Sequence, residues 1–174
     1  EIWAAHGQEV AIFVLDSVGF SRTTKTSGIV HFLSKMMQMR ELVIPVFDAF
    51  KPIHLRLAGD NIFAAFRSAD DAISAAVQVQ KTLKSSGIML NQNEPFQACI
   101  GIGFGKLLFS QTLEGYFGDE MNVAQSLKEV CHATQMTFVL CSPIPPKNRE
   151  ATVQYEPDPV KAIVQADVIY TDTW

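Results

Sequence analysis

The segment Val10-Ala-Ile-Phe-Val-Leu15 is short, apolar at every position and rich in β-branched and aromatic side chains. A run of that kind satisfies both faces of a strand at once, which places it in the middle of a sheet with packing on each side. It ends abruptly at Asp16, and Ser17-Val-Gly-Phe-Ser21 follows. A buried strand that delivers a carboxylate to a glycine turn sets the frame for everything downstream.

Residues 24–50 carry Ile29, Phe32, Leu33, Met36 and Met37 and then Leu42, Val43, Val46, Phe47 and Phe50 at helical spacing. The pattern predicts one long or two consecutive helices, kinked or divided at Pro45. Ile53-His-Leu-Arg-Leu57 alternates apolar with polar, Ala58-Gly-Asp60 interrupts it, and Asn61-Ile-Phe-Ala-Ala-Phe66 resumes it, so a hairpin with Asp60 at its tip is expected. Ser68-Ala-Asp-Asp71 is a variant capping box, and Ala72, Ala76, Val79 and Leu83 then share one helix face until Ser85-Ser-Gly87. Residues 89–95 read as a polar connector. Residues 96–102 and 106–110 predict two strands around a glycine turn, residues 119–131 a helix, and residues 137–140 and 163–170 closing strands. The proline-rich stretch 143–159 reads as an exposed excursion. This order of elements describes an α+β fold, an antiparallel sheet of ferredoxin-like plan with helices packed on it.

At 174 residues and 48% hydrophobic composition, the chain is sized for one domain spanning residues 1–174 that buries its own core. A net charge of −4 lacks the basic surplus that neutralises phosphate backbones, which argues against nucleic acid as a partner. Cys99, Cys131 and Cys141 form an odd set without zinc-site spacing, read as reduced thiols in a cytoplasmic setting. No apolar run approaches the roughly 20 residues that cross a bilayer, so no membrane contact by this domain is expected. The start at Glu1 without an initiator Met suggests a fragment of a longer protein, whose other parts can include a membrane anchor.

The chemistry concentrates around Asp16 and Asp60. Backbone amides at a helix start bind phosphate oxygens, and glycine permits close approach, so Gly19-Phe-Ser21 is a candidate phosphate cradle, with Phe20 anchoring the turn in the core. Asp60 alone reads equally as an ordinary Gly-Asp turn residue. If its hairpin lies beside the Val10–Leu15 strand, about 4.8 Å away, the two carboxylates reach the same ions. Magnesium suits such a site, since it takes one or two carboxylates and completes its shell with phosphate oxygens and water. His6, His31, His54 and His132 show no ligand spacing and read as surface or core residues.

Phe13-Val-Leu-Asp-Ser-Val-Gly-Phe-Ser21 resembles the first metal-binding motif of the class III adenylyl and guanylyl cyclases, and Leu57-Ala-Gly-Asp-Asn-Ile-Phe-Ala-Ala-Phe66 resembles their second. Ile100-Gly-Ile-Gly-Phe-Gly105 is similar to their glycine-containing hairpin, and Tyr116-Phe-Gly-Asp-Glu-Met-Asn-Val-Ala-Gln-Ser-Leu127 to the segment that ends in an Asn and an Arg. The four segments arrive in the family's order over most of residues 8–140. The resemblance implies a nucleotidyl cyclase that converts a nucleoside triphosphate, ATP or GTP, to a 3′,5′-cyclic nucleotide and pyrophosphate. It implies two ions, Mg2+ or Mn2+, held by Asp16, Asp60 and the Ser17 carbonyl, with the triphosphate on Gly19, Phe20 and Ser21. Asn122 matches the residue that orients the ribose. The resemblance also implies a head-to-tail homodimer with the sites at its interface.

Three positions depart from the family pattern. Ser126 stands where the family has a transition-state Arg, four residues after Asn122 and so on the same helix face. Arg56 occupies the purine-selecting position four before Asp60, and its partner position is Gly115, which has no side chain to read a base. Arg56, Arg22 and Lys106 are the candidate replacement cations for the α-phosphate, with Arg56 best placed. The alternative function is a degenerate cyclase-homology domain that dimerises and regulates without turnover. A diguanylate cyclase ranks below both, because its Gly-Gly-Asp/Glu-Glu-Phe signature is absent.

Overall fold

The computed structural model describes residues 3, 6–110, 115–118, 121 and 124, together with the backbone of 138–140, 154–155 and 168–172. Its first strand, β1 (Gly7–Ser17), is the apolar run, and it sits centrally as expected. Helices α1 (Phe20–Ser27) and α2 (Ile29–Phe50) follow, then the hairpin β2 (His54–Ala58) and β3 (Asn61–Phe66), and helix α3 (Ala69–Ser86). A short hairpin, β4 (Met89–Asn91) and β5 (Glu94–Pro95), precedes the long strand β6 (Ala98–Ser110) and β7 (Gly115–Phe117). The closing strands are β8 (Phe138–Leu140), β9 (Gln154–Tyr155) and β10 (Val168–Asp172).

The main sheet runs β2-β3-β1-β6-β10-β8-β9, with β7 also paired to β6. Around β1 the pairing is antiparallel, to β3 on one side and β6 on the other. Beyond β6 the order changes hand, since β10 joins β6 in parallel and β8 joins β10 in parallel. The α+β plan stands, with an antiparallel centre and parallel pairs added at one side.

Strand alternation divides the core in two. Ala11, Phe13 and Leu15 of β1 pack with Ile62, Ala64 and Phe66 of β3 and with the buried residues of α2 and α3. Phe13 anchors this layer, edge-on to Phe47 at 5.3 Å and to Phe66 at 6.2 Å. Val10, Ile12 and Val14 face the other way and meet Ala65, Leu107, Tyr116 and Ala124. Burial on both faces explains the uninterrupted apolar run.

Four local expectations are corrected. The helical region breaks at Gly28, whose φ of 84° and ψ of 159° lie in a region essentially reserved for glycine, while Pro45 sits inside α2. Residues 98–110 form one strand without a glycine turn, because Gly101, Gly103 and Gly105 pair in register with Val14, Ile12 and Val10. The segment expected to be a polar connector is the β4–β5 hairpin. Leu90 is fully buried there, and the Asn93 amide donates to Asn91 Oδ1 across its turn. Phe20 is 42% exposed and packs edge-on against Phe32 from outside, so it is not a core anchor. The α3 cap is as read, with Ser68 Oγ accepting from the Asp71 amide. The expected helix over 119–131 lies outside the described residues apart from Met121 and Ala124, which are helical. No described helix is long and apolar enough to cross a membrane.

Candidate active site

Asp16 is the direct cross-strand partner of Asn61, the first residue of β3. Asp60 precedes Asn61 in the two-residue turn of the β2–β3 hairpin, so both carboxylates stand at the same end of adjacent strands. Both are partly buried, and Asn61 Nδ2 donates to Asp60 Oδ1 at 3.1 Å. Strand parity puts Asp16 on the face of Val10, Ile12 and Val14, the face away from α2 and α3.

The turn after Asp16 has the geometry of an anion cradle. Gly19 takes φ 94° and ψ 9°, a left-handed conformation, and a Cβ there would stand 3.2 Å from Leu90 Cδ1. The N-terminus of α1 has no side-chain cap and no acidic residue in its first turn. Its leading amides, those of Phe20 and Ser21 among them, therefore have no partner within the helix. The Thr23 hydroxyl lies close to the turn, 3.6 Å from where a Cβ on Gly19 would stand, and it and the Ser17 hydroxyl are buried and make no hydrogen bond among the described residues.

These residues fit a magnesium-type ion. Two carboxylates and the Ser17 carbonyl are hard donors, and phosphate oxygens and water complete such a shell. Among the described residues, no three His, Cys, Asp or Glu side chains gather into a cage that holds a metal without substrate.

Farther along the same face is a cavity of about 260 Å³ lined by Ile12, Phe63, Met121, Tyr116, His54 and Arg56, with Gly115 at its edge. Arg56 and Gly115, separated by 59 positions in the sequence, thus line one space. Four residues of strand separate Ile12 from Asp16, about 13 Å at 3.3 Å per residue. Tyr116 donates its hydroxyl to Gln8 Oε1 at 3.1 Å. Burial pushes its pKa above the ordinary 10.0, with the Arg67 charge partly offsetting the shift, so it lines the cavity as a neutral phenol. His54 stands edge-on to Phe109 at 6.1 Å and to Tyr116 at 6.3 Å, and its Nε2 is buried without a hydrogen-bond partner among the described residues.

Of the candidate cations, Arg22 is held by Glu94 of the β4–β5 hairpin, and Lys106 lies opposite Glu9 in the β1–β6 register. Arg40, a residue the sequence reading missed, reaches from α2 to the β2–β3 hairpin, where its Nη2 donates to the Gly59 carbonyl. A signal was present, because Arg40 interrupts the buried row Met36, Val43, Phe47, and a charge in an apolar stripe requires a partner. His31 Nε2 meets the Leu90 carbonyl at 2.6 Å, a structural role as read. Asn122, Ser126 and His132 lie outside the described residues.

A curled sheet with helices packed on it, antiparallel at its centre, is the fold of the class III nucleotidyl cyclase catalytic domain. Solved structures with that fold include a bacterial light-regulated adenylyl cyclase, with TM-score 0.62 and 21% identity over 71% of this chain and 70% of that one. They also include the adenylate/guanylate cyclase/hydrolase of Silicibacter pomeroyi, with TM-score 0.58 and 26% identity over 71% of this chain and 70% of that one. In sequence, the chain is 23% identical over 118 residues to "Putative adenylate cyclase 3" of Rhizobium meliloti (strain 1021), a match covering 68% of this chain. It spans about a fifth of the length of that curated relative, 20%. No protein-family model matches. The chain shares the fold of adenylyl and guanylyl cyclase catalytic domains.

Proposed function

We propose that this chain is the catalytic domain of a nucleotidyl cyclase, which forms a 3′,5′-cyclic nucleotide and pyrophosphate from a nucleoside triphosphate, ATP or GTP. One observation carries the reading. Asp16 pairs with Asn61, which brings Asp60 to the same edge beside the uncapped start of α1, while a cavity opens farther along the same sheet face.

Asp16, Asp60 and the Ser17 carbonyl would hold two Mg2+ or Mn2+ ions, which supply activation of the ribose 3′-hydroxyl and neutralise charge on the departing pyrophosphate. The amides of Gly19, Phe20 and Ser21 bind the triphosphate and hold the α-phosphorus in line with that hydroxyl. Asn122 orients the ribose from the second subunit of a head-to-tail homodimer. Arg56, which lines the cavity with Gly115, is assigned to the base end of the nucleotide in preference to the α-phosphate.

A second reading, a degenerate domain that binds nucleotide and regulates, is favoured by Ser126 at the position of the family's arginine and by the engagement of Arg22 with Glu94. Incubation with each of the four ribonucleoside triphosphates and Mg2+ or Mn2+, read by mass spectrometry, separates the two. A cyclic product that disappears in Asp16→Ala and Asp60→Ala supports the cyclase; metal-dependent binding without product supports the degenerate domain; absence of binding overturns both. An arginine that meets developing phosphoryl charge supplies roughly 10³- to 10⁵-fold in rate. Ser126→Arg is therefore expected to raise turnover at least about tenfold with manganese.

A further inference from the structure

Helix α2 is apolar on two sides. Its inner side, with Phe32, Met36, Met39, Val43 and Phe47, is committed to the core. On its outer side Val30 is 77% exposed, Met37 63% and Leu33 47%, and partly buried Ile44 continues the row. Intervals of three, four and seven residues put these side chains on one stripe, spaced as the a and d positions of a heptad. Arg40 fills the remaining place in the stripe, its head group drawn to the Gly59 carbonyl and its stem left for packing. Such a stripe marks a contact surface, and charge decides what lies on it. From Ile29 to Arg40 the helix carries no acidic residue. Glu41 and Asp48, one heptad apart, flank the stripe on one edge, both exposed and in no ion pair among the described residues. The start of α2 at Gly28 has no side-chain cap and no acid in its first turn, so no side chain of its own balances the positive end of the helix dipole.

We propose that the occupant is α2 of a second copy of this chain, packed antiparallel across a twofold axis that passes between Met37 and Arg40. Leu33 then lies beside the partner's Ile44, and Met37 beside the stem of the partner's Arg40. Asp48 reaches the uncapped start of the partner's α2, where a carboxylate is favoured. The axis repeats each of these contacts. A parallel pair would instead leave the acids at one end and both helix starts at the other, with the two dipoles aligned. This contact is not the head-to-tail interface of the cyclase reading and does not depend on it. The stripe faces away from the Phe13 layer, whereas Asp16 lies on the other side of the sheet. The two surfaces therefore point in opposite directions, and a chain that uses both forms a closed tetramer or a filament, according to whether the two axes close.

The experiment is sedimentation velocity on the whole chain over a range of concentrations, without nucleotide, for the wild type, Met37→Glu and Asp48→Lys. The wild type is expected to show a step of about twofold in mass, from monomer to dimer, or from dimer to tetramer where the catalytic interface also forms. Met37→Glu brings two like charges together near the axis and should move that step to a concentration at least roughly tenfold higher. Asp48→Lys, at the edge of the stripe, should weaken the step several-fold. Both positions are exposed, so urea midpoints close to the wild type's separate lost assembly from lost folding. Cross-linking with a short bismaleimide fixes the direction. Met37→Cys, near the axis, should join two copies beyond the wild-type level, and Val30→Cys, far from it, should not. Equal cross-linking at both positions means a parallel pair and overturns the inference. So does a mass step that Met37→Glu leaves unmoved, or the absence of cross-linking at Met37→Cys. A wild type that never exceeds the mass of Met37→Glu assigns the stripe to a different partner and overturns it as well. None of these outcomes alters the cyclase reading, which rests on the opposite face.

Discussion

Gly19 holds the conformation on which the phosphate turn depends. At φ 94° any L-residue is strained, and an added methyl would also press on Leu90 Cδ1 at 3.2 Å. Gly19→Ala should lower stability by about 1–2 kcal/mol, seen as a reduced urea midpoint at constant slope, and should weaken manganese–triphosphate binding measured in parallel. Tyr116 gives a second test at this scale. Its proton is held more tightly in the folded chain than in the unfolded one, so above pH 10.0 the unfolded chain releases it first. Stability then falls as pH rises. Urea titrations at about pH 9 and about pH 11 should show a larger loss for the wild type than for Tyr116→Phe, which has no phenol to ionise. Asp16, Gly19 and Asp60 were legible in the sequence because each sits beside its own turn signal. The convergence of Arg40 on Gly59 and the placing of His54 in the cavity were not, since they depend on helix rotation and strand pairing.

Elements were legible where a local rule fixed them and misread where two rules competed. The apolar run, the Gly59–Asp60 hairpin and the Ser68 cap all appeared where patterning and turn chemistry agreed. Between residues 20 and 50, proline and glycine both offered a helix break. The break falls at Gly28, whose dihedrals only glycine tolerates, whereas the turns around Pro45 are held by buried Val43, Val46 and Phe47. The β6 glycines read as a turn because glycine usually punctuates. Register with the buried strand β1 keeps them extended instead. Pro45 is exposed and cannot donate to the carbonyl of Glu41. Replacing it should strengthen α2. The gain from Pro45→Ala is expected to be roughly 1–2 kcal/mol, below the full helix-interior difference of about 3, because proline also restricts the unfolded chain. An unchanged or lowered urea midpoint would show that the helix has already adapted around the ring.

At the scale of the molecule, the sheet faces divide the work between stability and chemistry. Helices α2 and α3 cover the layer built on Phe13, while the opposite face carries Asp16 at one end and the His54–Arg56 cavity along its length. Strand order beyond β6 was not readable, because parallel partners are chosen by long-range packing and leave no local turn signal. The proposed site is incomplete within one chain, since it draws the aspartates from one copy and Asn122 from the other. Twofold symmetry then makes two equivalent sites per dimer. This arrangement yields a test that does not depend on which base is bound. Asp60→Ala and Asn122→Ala should each be inactive alone, because every site in either homodimer carries the same lesion. In an equimolar mixture about half the dimers are heterodimers, and each has one site with both lesions and one with neither, so activity should return to about a quarter of the wild-type level. Subunit exchange can be followed by light scattering and by a size tag on one variant. Exchange without recovered activity would refute the shared site, and activity from either variant alone would remove that residue from the mechanism.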